Sequence, residues 1–425
     1  MSPARTRLAA LIGLATIAAG PAAAQIGVPM DTIMRIPVDQ ITTGIFQQID
    51  QALPPLVIKS SAGPVGSIAA SPTGRWLVTA PSDRVLRVWD LENGLEAARL
   101  TGLGAEPRAL AVSESLVAAA SGRRVLLWST AGRAFRPIDL PQDVTALAFA
   151  GNDRLMIGRA DGLIGEHALD GRELRSFPGH RGAVVALATT RGGTALASGD
   201  ANGTVYTWDM ATGAGAGGAN VPGLTALAIT LDGTGFATGQ RDGTVLLWSR
   251  SGQQLGRAAR HRGAVTSLAY SPDGRILAST GGEKAVRLAD VAKRSELKGI
   301  EAHTADATGV AFEGRYGRLI STGKDGIVRA TEVGGGDPKS LLRMVSTNRG
   351  WAAIDDNGRF DGSIDALREI SWGTRDKEVA IDRLSDRFNR PGLIPLMLAS
   401  QPPQLQAVAV APAPAPRPAP PPPAP

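Results

Sequence analysis

Short runs in which large apolar side chains occupy every second position recur along most of this chain. In Val265-Thr266-Ser267-Leu268-Ala269-Tyr270 the larger apolar groups alternate with small or polar ones. The run is followed by Ser271-Pro272-Asp273-Gly274-Arg275, by a second run, Ile276-Leu277-Ala278-Ser279-Thr280, and by a third, Ala285 to Leu288. A period of two is that of a strand with two unlike faces, and Asp-Gly between two such runs is a hairpin signal. The same order appears upstream: Thr225 to Thr230, a turn at Asp232-Gly233, Gly235 to Gly239, a turn at Arg241-Asp242-Gly243, then Thr244 to Trp248. The pattern predicts an all-β chain of short antiparallel strands.

The units repeat. The residue near the end of successive third runs is Trp89, Trp128, His167, Trp208, Trp248, Ala289 and Thr331, so the spacing stays between 39 and 42 residues. A sheet of three or four short strands cannot bury both of its faces alone. Stacking seven such sheets radially buries them and leaves only short edges, which makes a seven-bladed β-propeller the expected fold over residues 55–335.

The repeats resemble the WD-repeat family. Trp89-Asp90 and Trp208-Asp209 match its signature dipeptide, Gly179-His180 matches its other signature pair, and Ser271-Pro272-Asp273-Gly274-Arg275 is its typical first turn. The resemblance implies a hydrogen-bonded quartet of His, Ser or Thr, Asp and Trp within each blade. His180, Ser198 and Trp208 fit it, with Asn202 where Asp is usual. Thr238, Asp242 and Trp248 fit without a His. His261 and Ser279 meet Ala289 in place of Trp, and His303, Ser321 and Asp325 meet Thr331. The resemblance also implies that a strand from one end of the chain joins the last blade to the first. Leu56-Val57-Ile58-Lys59 is the first candidate for that strand and Leu341-Leu342-Arg343-Met344-Val345 the alternative.

Four segments flank the repeats. Residues 1–24 read as a secretory signal: Arg5 and Arg7, an uncharged apolar run from Leu8 to Ala19, and Ala22-Ala23-Ala24, with cleavage expected after Ala24. The run is shorter than the ~20 residues a membrane span needs. Within residues 25–54, Val38, Ile41, Ile45, Ile49 and Leu53 predict one face of a helix over 37–53, ended by Pro54-Pro55. Residues 336–400 read as a small α+β module. Its segment from Gly350-Trp351 through Trp372-Gly373 to Asn389-Arg390-Pro391-Gly392 is similar to the connector of bacterial proteins that place WD repeats before a caspase-like peptidase domain. No such domain fits in the residues that follow. Residues 401–425 are nearly all Pro and Ala and read as an extended, disordered tail.

Composition narrows the function. The chain of 425 residues holds 52 glycines and no cysteine, which excludes disulfides, thiolate metal sites and a cysteine nucleophile. Its Ala-, Gly- and Arg-rich character together with the leader points to a bacterial periplasmic protein. Removing the two leader arginines from a net charge of +6 leaves +4, too dilute a charge to predict nucleic-acid binding. The four histidines, His167, His180, His261 and His303, fall on different repeats without metal-ligand spacing. Asp355, Asn357 and Asp361 depart from a calcium loop, with Arg359 where a ligand belongs. There is no nucleophile elbow and no phosphate loop. No catalytic, cofactor or metal site is therefore expected, and the chain reads as a non-catalytic scaffold for protein partners. The alternative is a propeller enzyme with a small-molecule site in its channel. One pattern gives the scaffold a surface. Arg84, Arg159, Arg241, Lys284 and Lys324, with Arg123 or Arg124, sit in the turns after second strands. Arg108, Arg181 and Arg262 sit in the connections into first strands. Both loop sets of a propeller open on one face, so these residues predict a broken basic ring suited to an acidic protein surface. A separately encoded caspase-like protein is one candidate partner.

Overall fold

The computed structural model describes residues 56–57, 63–314, 316–334, 337–356, 359–368, 371–374, 377–380, 389, 391 and 393–399. The leader, the predicted helix over 37–53 and the Pro/Ala tail lie outside the described residues.

The repeats fold as seven antiparallel sheets, each built from strands consecutive in the chain. Blade 1 comprises Val65–Ala70, Trp76–Pro81, Leu86–Asp90 and Leu95–Leu100, from the inner to the outer strand. Blades 2 to 6 follow over 109–139, 144–177, 184–220, 224–260 and 267–296. Ile276–Thr280 is the strand expected there and Thr244–Ser249 extends the expected one by a residue, while the strand expected from Val265 starts at Ser267 and the one expected over Ala285 to Leu288 runs Arg287–Asp290. The first turn also forms as expected. In blade 6 the Ser271 hydroxyl accepts from Ile276 N at 2.9 Å, and Gly274 takes φ +70°, a conformation that costs glycine little.

The core lies between blades. Seven apolar clusters are present, one at each junction of neighbouring sheets. Every inner strand carries alanine at the same place: Ala69, Ala111, Ala148, Ala188, Ala228, Ala269 and Ala311. The residue before it is large: Ile68, Leu110, Leu147, Leu187, Leu227, Leu268 or Val310. Alternation sends the two to opposite faces of the sheet. In blade 3, Leu147 and Phe149 join the cluster shared with blade 2, while Ala146, Ala148 and Ala150 join the one shared with blade 4. Large side chains thus point back to the preceding blade and small ones forward to the next. One second strand shows how close the fit is. A Cβ on Gly239 of blade 5 would lie 2.4 Å from Val265 Cγ1 of blade 6.

The ring closes by the same packing. A Cβ on Gly309 of blade 7 would lie 2.5 Å from Ile68 Cγ2 of blade 1, and Thr308 Oγ1 donates to Val65 O at 2.6 Å. Among the described residues no strand is exchanged. Blade 7 takes its outer strand, Lys339–Ser346, from the segment directly after its third, Ile327–Glu332. The alternative candidate, Leu341 to Val345, therefore fills the place, and the first candidate does not: Leu56 and Val57 pair with Trp372 and Ser371 in a separate three-stranded sheet. The expected boundary at residue 335 thus falls inside a blade. Two further strands, Trp351–Ile354 and Phe360–Gly362, extend blade 7 to six, and helix Leu393–Ala399 buries Leu393, Ile394 and Leu398 in the cluster between blades 7 and 1. With Ile364–Leu367 it is one of two short helices among the described residues.

The substitution Gly239→Ala places a methyl against the Val265 side chain and the Ala226 Cβ, with no void to receive it. Its expected cost is about 1–3 kcal/mol, typical of an overpacked core, read as a lower midpoint in urea unfolding.

Candidate partner-binding face

The turns after second strands and the connections into first strands lie side by side. Backbone bonds join them in blade after blade: Ala201 N to Ala183 O at 2.8 Å, Arg241 N to Gly223 O at 2.7 Å, Lys324 N to Asp306 O at 2.9 Å. Beneath them sit the polar quartets. In blade 4, His180 Nε2 and Trp208 Nε1 each meet Ser198 Oγ at 2.8 Å. The acid is Asp200, not Asn202. Asp200 Oδ2 lies 3.3 Å from His180 Nδ1, because Asp200 ends the second strand with its side chain turned inward and fully buried. There it also accepts the backbone N–H groups of Gly182, Asn202 and Thr204, pinning both loops at once.

In blade 6 the acid is Glu283, a position outside the expected set, and with Ala289 in place of Trp the group has three members. His261 Nε2 meets Ser279 Oγ at 2.8 Å and His261 Nδ1 meets Glu283 Oε1 at 2.7 Å. The signal was present: Glu283 follows Ser279 by the same four residues that separate Asp325 from Ser321. In blade 7, His303 bridges Ser321 at 2.9 Å and Asp325 at 3.0 Å. In blade 5, Trp248 Nε1 donates to Thr238 Oγ1 at 2.8 Å, but Asp242 stays exposed and caps its own turn through Thr244 N at 3.0 Å. Without a histidine to meet, nothing draws Asp242 inward. Blade 1 holds a further set that the sequence reading passed over: Trp89 Nε1 donates to Thr79 Oγ1 at 3.2 Å, and buried Arg87 pairs with Asp83. His167, where four of the seven repeats have Trp, is buried beside Gly171 O at 3.3 Å.

These arrangements set the charge of the face. Asp200, Glu283 and Asp325 turn inward, Asp83 turns to Arg87, and Asp161 pairs with Arg159 at 2.9 Å. Of the predicted basic residues, Arg159 is half-buried and the rest are exposed. Lys324 is paired with Asp306 at 2.8 Å, and Arg84 donates to Gly104 O at 3.2 Å. Arg123 and Arg124 are paired with Asp143 and Asp139. Among the described residues, Arg108, Arg181, Arg241, Arg262 and Lys284 have no acidic partner within 4 Å. Arg260, exposed at the end of a blade 5 outer strand, lies near Asp242 and acts on it electrostatically. The expected ring therefore contracts to an arc over blades 4, 5 and 6, formed by Arg181, Arg241, Arg260, Arg262 and Lys284, with Asp242 as its exposed acid and Arg108 apart on blade 2.

The opposite face carries a cavity of about 450 Å³ between the turns of blades 1 and 7, lined in part by Arg75, Leu91, Glu92, Arg191, Tyr316 and Leu398. Arg75 is bound to Asp90 at 2.9 Å. The acidic group suggested by Asp355 is taken up by Arg359, which donates to it through its backbone N at 2.8 Å and its Nε at 2.6 Å. Among the described residues no group of three or more potential ligands gathers to hold a metal ion.

Burial pushes the imidazoles of His180 and His261 below their ordinary value of 6.5, and Asp200 and Glu283 oppose the shift without overcoming it. The unfolded chain therefore binds protons at these two sites more readily than the folded one. Stability is complete above about pH 6.5 and falls as pH drops below it. Melting curves between about pH 7.5 and pH 5.5 should show this decline, and His180→Gln with His261→Gln should flatten it while lowering the melting temperature throughout.

Three segments match the model of the WD domain, G-beta repeat: residues 54–90, 171–209 and 218–249. Each ends on or just past a third strand bearing Trp89, Trp208 or Trp248. Residues 236–315 match the anaphase-promoting complex subunit 4 WD40 domain. WD repeat-containing protein 1-B of Xenopus laevis is 36% identical over 95 residues, which span 22% of this chain and 15% of that protein. The matched segments are thus similar to WD repeats, and they fold as blades of the seven-bladed propeller.

Proposed function

We propose that this chain is a non-catalytic scaffold that works in the periplasm and holds an acidic protein partner on the face of blades 4 to 6. One observation carries the reading: Arg181, Arg241, Arg262 and Lys284 are exposed without acidic partners within 4 Å, with Arg260 beside them, while most neighbouring carboxylates are turned inward or paired. Charges left free on a rigid face steer an oppositely charged partner and fix its orientation. The loops that bear them are tied down by Asp200, Glu283 and by backbone bonds, so little ordering is left to occur on binding. The segment similar to a peptidase connector adds a specific candidate, a separately encoded caspase-like protein. The leader, cut after Ala24, supports export, and the Pro/Ala tail would space the scaffold from a second attachment point.

Reversing charge at Arg181, Arg241 and Arg262 to Glu should abolish pull-down of the partner from a periplasmic extract, and raised salt should weaken capture by the unaltered protein. Equal capture by both proteins rejects the assignment. Sequencing of the exported protein should begin at Gln25. An intact Met1 in the cell envelope would refute cleavage.

A further inference from the structure

We propose that the junction between blades 7 and 1 is the opening point of the ring, and that the extra hairpin Trp351–Ile354 and Phe360–Gly362 with helix Leu393–Ala399 is its latch. Six of the seven junctions are crossed by the chain, which runs from each outer strand into the next inner strand. Separating two such blades leaves them tethered, so little freedom is gained. Among the described residues, the junction of blades 7 and 1 has no crossing chain and no exchanged strand. Its opening gains the most conformational freedom, because the closure entropy of the whole ring is carried there.

The latch consists of pieces that lie outside the four regular strands of either blade. Trp351 meets Trp89 of blade 1 edge-on, with ring centroids 6.2 Å apart. Arg99 of blade 1 donates to the carbonyls of Thr347 at 3.1 Å and Asn348 at 2.8 Å, just ahead of the extra hairpin. Helix Leu393–Ala399 sets Leu393, Ile394 and Leu398 among Leu77, Trp89 and Leu91 of blade 1 and Ile320, Val328 and Leu342 of blade 7. Two bonds hold the helix to the hairpin: Leu393 N donates to Asp361 Oδ2 at 3.2 Å, and Arg359 Nη2 to Met397 Sδ at 3.4 Å. The pairing of Leu56 with Trp372 and Val57 with Ser371 ties the chain ahead of blade 1 to the chain after blade 7. A helix of seven residues is too short to persist in water by itself. Its order depends on docking, so latch and junction release together.

The absence of cysteine allows a direct test on the full chain. Antiparallel partners sit within disulfide range, so Val57→Cys with Ser371→Cys bolts the latch under oxidation. Hydrogen exchange is followed in the inner strands of blade 1, Val65–Ala70, and blade 7, Ala307–Phe312, against those of blades 3 to 5. Ile394→Asp should speed exchange roughly tenfold in blades 1 and 7 and leave blades 3 to 5 within about twofold, and the disulfide should restore protection. Should Ile394→Asp fail to fold, the disulfide alone should slow exchange at the junction in the otherwise unaltered protein, and reduction should reverse it. Exchange that rises equally in all blades, or a formed disulfide that leaves the junction unchanged, overturns the proposal.

Discussion

Each sheet of this molecule buries its two faces only against its neighbours, and the match of a large face to a small one is what the rest of the structure depends on. Leu147 and Phe149 of blade 3 enter the junction lined by Ala111 and Ala118 of blade 2, and Val265 of blade 6 fills the space left by Gly239 of blade 5. The arrangement is directional. A blade that is large behind and small in front can be followed by another of its kind indefinitely, and the run ends only when the last front meets the first back. Gly309 against Ile68 is that meeting. The composition follows from it: an interior of alanine and glycine facing leucine, isoleucine and valine needs few aromatic rings, and these make up only 4% of the chain.

Because packing holds the ring, the polar quartets are free to vary. A net hydrogen bond contributes only about 1 kcal/mol, so blade 5 does without a histidine and blade 6 without a tryptophan while their apolar clusters stay complete. What the quartets decide is where carboxylates point. Asp200 and Glu283 lie beneath the surface against histidines, while Asp242, lacking one, stays outside. The charge of the face thus depends in part on the interior: where a histidine is present below, the acid is withdrawn from the surface.

The repeat, the strand order and the number of blades were legible in the sequence because alternation and the third-strand positions are local signals with a fixed spacing. The quartet acids were less so. Asp200 and Asn202 are two residues apart at a turn, where either can face inward, and only the fully buried carboxylate of Asp200 distinguishes them. Glu283 was legible by its offset from Ser279 but is one methylene longer than the residue the pattern calls for. The closing strand was not legible. Leu56 to Lys59 and Leu341 to Val345 are both short apolar runs, and the choice between them depends on pairing across the sheet, where Val328 meets Met344 and Ile327 meets Val345.

That choice changes how the ring is held. An exchanged strand would add a row of backbone hydrogen bonds across the last junction, so that opening it meant tearing a sheet. Here the junction consists of side-chain packing and a strap laid over it, contacts that part without breaking any blade's ladder. The free arc on blades 4 to 6 stands away from this junction, and blades 4, 5 and 6 are joined to one another both by chain and by their own apolar clusters. Loosening blades 7 and 1 therefore leaves the geometry of the arc in place. The proposed partner face and the proposed opening point are therefore separable, since they lie on different blades, and a change in one without the other is what the architecture permits.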